Sequence, residues 1–242
     1  MQYGAVSDVG KIRKINEDSY YVDANSTYPY VIVADGMGGH QAGEVASLMA
    51  IDIIENHIEK YLHDGLEYVE AAEVIRRAFI DANSIIYNYA NDHYKVMGMG
   101  TTTTLSMIYG DKIITAHVGD SRAYAIDEYS IRQITRDHSY VQELVEMGRL
   151  TPCEAKTNPK KNFITRAMGA ETNVKIDIII EPYKNQTILL CSDGLSNMTE
   201  DDEIFNCVKY SRDLQTAAQT LRDIANERGG TDNITVAAIR KM

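Results

Sequence analysis

Thr101–Thr135, TTTTLSMIYGDKIITAHVGDSRAYAIDEYSIRQIT, is the stretch whose reading decides the fold. Its runs Thr101–Tyr109, Lys112–Val118, Arg122–Ile126 and Ile131–Thr135 are β-branched and apolar, and Gly110-Asp111, Gly119-Asp120-Ser121 and Asp127–Ser130 separate them. Short strands joined by Gly/Asp turns predict an antiparallel meander. Upstream the period changes. From Glu44, the residues Val45, Leu48, Met49, Ile51, Ile54, Ile58 and Leu62 recur at helical spacing, and from Val69 so do Ile75, Ala78, Phe79, Ala82, Ile85, Ile86 and Tyr89. Before them, Tyr3–Ser7, Ser19–Asp23 and Tyr30–Ala34 read as strands.

Downstream, Ser139-x-x-Gln142 opens a short helix that Gly148 ends, and Thr151-Pro152-Cys153-Glu154 has a capping Thr, a Pro at the first helical position and a Glu three residues on. The polar run 157–162 reads as a loop. Strands are expected again at Lys175–Glu181, Thr187–Cys191 and Asn233–Ile239, with a short helix capped by Thr199 and a longer one through Leu214, Ala217, Leu221 and Ile224. No linker or repeat divides the chain, so the expectation is one α+β domain with helices covering antiparallel sheets.

The chain has 242 residues, with 24 Lys and Arg against 35 Asp and Glu, a formal charge of −11. That excess would repel nucleic acids and anionic membranes. It serves solubility, or it gathers carboxylates for a metal; composition leaves both open. No apolar run approaches the roughly 18 residues of a membrane span, and Met1-Gln2-Tyr3-Gly4 lacks the features of a signal peptide. The reading is a cytoplasmic protein. Cys153, Cys191 and Cys207 show no Cys-x-x-Cys spacing, against both a disulfide framework and a structural zinc site.

One event recurs: an apolar strand runs out and delivers an Asp beside a small residue. It occurs at Val31–Gly36, Ala116–Ser121 and Leu189–Gly194, and Asp232 stands immediately before the last strand. A single Asp-Gly, such as Asp64-Gly65, is a turn dipeptide. Four such carboxylates at the ends of buried strands are unfavourable together unless a cation compensates them, and oxygen-only ligation selects Mg²⁺ or Mn²⁺. Spacing alone leaves turn chemistry and metal binding both open. Arg13, close to Glu17 and Asp18, is open in the same way between a surface ion pair and a phosphate-gripping guanidinium. Other phosphate chemistries fail on inspection, since no Cys-x5-Arg loop, Asp-x-Asp pair, Gly-Lys-Ser/Thr loop or Gly-x-Ser-x-Gly elbow occurs.

Arg13-x-x-Asn16-Glu17-Asp18, Asp35-Gly36-Met37-Gly38-Gly39, Gly119-Asp120-Ser121-Arg122, Ser192-Asp193-Gly194-Leu195 and Thr231-Asp232-Asn233-Ile234-Thr235 follow one another in the order and spacing of a known family. The chain resembles the metal-dependent protein phosphatases (type 2C, or PPM), in particular the compact bacterial serine/threonine phosphatases. The resemblance implies a central β-sandwich of two antiparallel sheets with helices on both outer faces, and a helical flap at about 137–169. It implies that Asp35 bridges two metal ions, with the Gly36 carbonyl on one and Asp193 and Asp232 on the other. Asp120, with Asp193, would hold a third ion, Glu17 and Asp18 would orient waters on the ions, and Arg13 would bind phosphate. Water bridging two Mn²⁺ or Mg²⁺ ions would attack phosphoserine or phosphothreonine. The implied partners are phosphorylated proteins and an opposing serine/threonine kinase, and no feature demands more than a monomer. Met37 stands where animal members carry a His that resembles a general acid, and His40 is assigned no catalytic duty.

Two rival readings remain at this point. A pseudophosphatase would show lost carboxylates, whereas the expected ones are present. A metal-dependent nuclease would need a basic, aromatic-laced groove.

Overall fold

The computed structural model describes residues 1–38 and 42–241. Eleven strands and seven α-helices are found among them. In chain order these are β1 (Gln2–Asp8), β2 (Asp18–Asp23), β3 (Tyr30–Met37), α1 (Ala42–Tyr61), α2 (Tyr68–Asp92), β4 (Gly100–Thr101), β5 (Thr103–Tyr109), β6 (Lys112–Val118), β7 (Arg122–Ile126) and β8 (Ile131–Gln133). Then follow α3 (Tyr140–Glu146), α4 (Pro152–Thr157), β9 (Asp177–Pro182), β10 (Thr187–Cys191), α5 (Asp193–Ser196), α6 (Asp201–Tyr210), α7 (Leu214–Glu227) and β11 (Ile234–Arg240). One antiparallel sheet has the order β1-β11-β10-β7-β8; the other has β2-β3-β5-β6-β9, with β4 paired to β3.

The period-two alternation of the central strands explains the layering. Val31 and Val33 of β3, Ile188 and Leu190 of β10, and Ala237 and Ile239 of β11 pack in the core between the sheets. The intervening Ile32 and Ala34 face α1 and α2 in a second core. Leu189 and Cys191, with Val236 and Ala238, face α6 and α7 in a third. Strands buried on both faces between helical layers make the expected α-β-β-α sandwich.

Several local expectations hold in detail. Ser139 Oγ accepts a hydrogen bond from Gln142 N–H at the start of α3, and Thr151 and Glu154 form a reciprocal capping box with Pro152 at the first helical position of α4. Three expectations are corrected. The four-strand meander is two hairpins in different sheets: β5 pairs with β6, β7 pairs with β8, and the chain crosses the sandwich at Gly119-Asp120-Ser121. Gly119 has φ +113°, a left-handed conformation that favours glycine, and a Cβ there would overlap the Thr102 side chain. The strand expected over Thr101–Tyr109 is broken at Thr102, whose hydroxyl turns to the backbone of Asp35. Glu200, not Thr199, caps α6 with Glu203, because the Thr199 hydroxyl donates to Leu195 O.

Candidate active site

β2 and β3 bring the first two acids together, since Asp18 and Asp35 are direct cross-strand partners. Like charges in register oppose pairing, so the surrounding backbone must hold them. Asp35 is clamped at its main chain: its N–H donates to Thr102 Oγ1 (3.1 Å), and its carbonyl accepts from Thr102 N–H (2.9 Å) and Thr101 Oγ1 (3.0 Å). Asp18 is 7% exposed. Its Oδ2 accepts from Ser192 Oγ at 2.7 Å, while its Oδ1 is buried with no hydrogen-bond partner. β3 does not end before Asp35, as its pattern suggested, but continues to Met37 by pairing Gly36 with Thr101.

The other sheet supplies the remaining acids from its ends. Asp193 follows β10 and opens α5, a helix that the sequence did not announce. Asn197 Nδ2 donates to its Oδ2 at 3.0 Å. Asp232 precedes β11 and accepts from Arg13 Nη2 at 2.8 Å, with the Arg13 side chain half exposed. Asp120 lies in the crossing between the sheets. Glu17 sits at the rim, where its Oε1 accepts from Gly43 N–H at 3.2 Å and its carbonyl accepts from Ser47 Oγ and Gly36 N–H.

The carboxyls act on one another electrostatically. Burial first, then the charges of Asp18, Asp193, Asp120 and Asp232, hold Asp35 well above the usual carboxylate range. Burial and then Asp193 and Asp137 do the same to Asp120. Asp18 is pushed up to about 7 by burial, against the hydrogen bond from Ser192 Oγ, with Asp193 and Asp232 adding to the rise. Asp193 reaches about 6 through burial and Asp232, opposed by Arg13, Lys161 and Asn197. Burial also raises Glu17, against its Gly43 hydrogen bond and Arg13.

Asp120, with Asp18, Asp35, Asp193 and Asp232, therefore forms one acidic centre. Gly36 lies in the backbone beside it, and Arg13 and Glu17 are at its edge. Among the described residues no three His, Cys, Asp or Glu side chains are grouped as a ready-made metal cage. The donor set nevertheless fits a hard divalent cation: it is all oxygen, it includes an unpartnered buried carboxylate oxygen, and ions of the Mg²⁺ type retain several waters in their coordination sphere. Met37 is half-buried beside Gly100. Gly39 and His40 lie outside the described residues.

Three positioning residues carried no signal that assigned them a role. Asn233 accepts from Glu17 N–H (2.8 Å) and donates to Val9 O and Ile15 O, tying the Arg13 loop to the Asp232 turn; it was visible only as part of a motif. Thr102 was one of four consecutive threonines, and Ser192 a small neighbour of Asp193.

The raised Asp18 carboxyl makes a testable linkage. Its folded value of about 7 exceeds the roughly 3.9 of an unfolded Asp. The folded state therefore binds more protons between those values, and the Asp18 contribution to stability falls as pH rises through that window. Buried His117, lowered to about 4 by desolvation, works in the opposite direction, so the measurement is a difference. In EDTA, the stability of Asp18→Asn relative to wild type should increase from about pH 4 to about pH 7, by a few kcal/mol at most. A difference independent of pH in chemical denaturation would refute the buried-charge account.

The Protein phosphatase 2C family signature matches residues 6–234. The chain belongs to that family, and it is a phosphatase. A relative, "Serine/threonine phosphatase stp" of Listeria monocytogenes, is 39% identical over 238 residues, covering 97% of this chain and 94% of the relative. The crystal structure of Stp1 from Staphylococcus aureus superposes with a TM-score of 0.93 at 34% identity, covering 100% of this phosphatase and 96% of that chain. The catalytic domain of PstP, solved in complex with 2 manganese ions, gives a TM-score of 0.84 at 33% identity, covering 98% and 96%. Among the described residues of this phosphatase, no helix is long and apolar enough to cross a membrane.

Proposed function

We propose that this phosphatase hydrolyses phosphoserine and phosphothreonine in proteins at a divalent-cation centre formed by Asp35, Asp193 and Asp232. The observation that carries the reading is the convergence of five Asp residues from distant stretches, one with a buried unpartnered oxygen, beside a half-exposed Arg. Its relatives' names support the serine/threonine specificity, and the manganese-bound neighbour supports the choice of cation. Bound Mn²⁺ or Mg²⁺ would acidify a water and neutralise charge on the phosphoryl group.

The chain's own residues take the remaining roles. Asp35, the Gly36 carbonyl, Asp193 and Asp232 would hold two core ions, and Asp120 with Asp193 a third. Asp18 and Glu17 would orient the waters that complete the ligation. Arg13 uses Nη2 on Asp232, and its other guanidinium N–H groups can receive phosphate oxygens. Attack by water forms a P–O bond opposite the leaving serine or threonine oxygen, whose bond to phosphorus breaks. The attacking water sheds one proton and the departing oxygen gains one; we assign the delivery of that proton to water, because Met37, where animal members carry a His, has none to give. We further read the chain as one domain in which residues 137–169 form a flap beside the site. It would act in the cytoplasm as a monomer on phosphoproteins made by an opposing kinase, without nucleic-acid or membrane partners.

Purified protein should release phosphate from a phosphothreonine peptide with Mn²⁺ or Mg²⁺ and lose that activity in excess EDTA. Equal turnover in EDTA would overturn the cation-dependent reading.

A further inference from the structure

We propose that His138, in the segment between β8 and α3, is a positioning residue that sets the direction of the Asp120 carboxylate by gripping Gly119 at two points. The inference rests on the cation-centre reading above. Gly119 N–H donates to His138 Nδ1 at 3.0 Å, and His138 N–H donates to Gly119 O at 2.7 Å. Those two Gly119 groups belong to the peptide planes on either side of its Cα. Holding both planes fixes φ and ψ of the one residue in the crossing that has no Cβ to restrict it. On the far side of Asp120, Ser121 is held in turn: its Oγ is 2.7 Å from Thr102 Oγ1, and its carbonyl accepts from Thr104 Oγ1 at 3.2 Å. Asp120 is thus suspended between two anchors. Thr102 also holds the backbone of Asp35.

The imidazole is prepared for this grip. A backbone N–H only donates, so Nδ1 must be the bare nitrogen and Nε2 must carry the proton. Nε2 lies 3.1 Å from Asp177 Oδ2, which accepts that proton, and Arg166 Nη1 binds the other oxygen of Asp177 at 3.1 Å. Arg166 Nη1 is also 3.0 Å from Nε2, but both atoms bear hydrogen, so this is a shared hold on Asp177 and not a hydrogen bond. His138 is 5% exposed, and Thr165 N–H donates to its carbonyl at 2.7 Å, fastening the far end of the helical segment to the same residue.

The test compares two substitutions that retain a side-chain amide. His138→Asn can place an oxygen where Nδ1 stood and keep the Gly119 contact; His138→Gln reaches toward Asp177 and loses it. Mn²⁺ binding is followed by electron paramagnetic resonance of the free ion. The third ion, which Asp120 would help to hold beside the two core ions, should form the weaker class of bound Mn²⁺; His138→Gln should weaken that class at least about tenfold, and His138→Asn by no more than about threefold, with the tighter class of the core ions little changed in either. A role in packing alone predicts the reverse order or no difference, and either result would overturn the proposal. Wild-type protein that binds no Mn²⁺ would instead remove the underlying cation-centre reading. Independently of any variant, nitrogen-15 shifts of the wild-type His138 ring should report a neutral Nε2–H tautomer; a protonated Nδ1 would also overturn it.

Discussion

Asp35→Asn is expected to abolish turnover and to stabilise the cation-free protein at the same time. Asp35 belongs to the acidic centre with four other Asp residues, and burial plus their charges hold its carboxyl well above its usual range. An isosteric neutral amide removes that repulsion, and the benefit should grow with pH because a carboxyl with a raised pKa is costly only once ionised. Relief on the order of 1–3 kcal/mol would raise the thermal midpoint in EDTA by roughly 2–4 °C per kcal/mol for a chain of this size. The same change removes the carboxylate proposed to bridge both core ions. Loss of one electrostatic stabiliser costs about 10²–10³-fold in rate, and a group serving two ions should stand at the upper end or beyond. Thermal unfolding in EDTA and phosphopeptide turnover with Mn²⁺ test both halves. A lowered midpoint, or turnover within about tenfold of wild type, would contradict the assignment. Stability given up for function at one side chain is the signature sought.

The second large effect is steric. A Cβ on Gly36 would overlap the carbonyl group of Gly43 at the start of α1 and come within 2.7 Å of Glu17 O. All of these are backbone atoms on other segments, so no side-chain rotation relieves the clash. Gly36→Ala should therefore cost more than about 3 kcal/mol, above the usual range for small-to-large changes in a packed site. The midpoint should fall by about 6–12 °C. Gly65 is the control. Its φ is +93°, but a Cβ there would meet nothing within 4 Å, so Gly65→Ala should cost only about 1–2 kcal/mol of left-handed strain. A Gly36→Ala midpoint no lower than that of Gly65→Ala would show that α1 can move away from β3.

Much of the fold is legible because its rules are local. The short apolar runs Tyr30–Ala34 and Thr187–Cys191, helical spacing through Ile54 and Phe79, and the caps at Ser139 and Thr151 all depend on residues a few positions apart. The errors arise where a local pattern has two tertiary solutions. Gly119-Asp120-Ser121 reads as a hairpin turn, yet a left-handed Gly119 packed on Thr102 sends the chain to the other sheet. Thr199 reads as a helix cap, yet its hydroxyl finds Leu195 O and leaves Glu200 to cap α6.

The carboxylates themselves were visible in the chain as acids beside buried strands, and the motifs around them named the family. What lies between them was not visible. Arg13 meets Asp232 across 219 positions, and Ser192 meets Asp18 across 174. Asn233, Thr102 and His138 gain their tasks only from such distant neighbours. A hydrogen bond within a turn is specified by adjacent dihedral angles, so sequence alone determines it. A contact between the ends of two sheets exists only after the core between those sheets has packed, and only the tertiary structure could decide it.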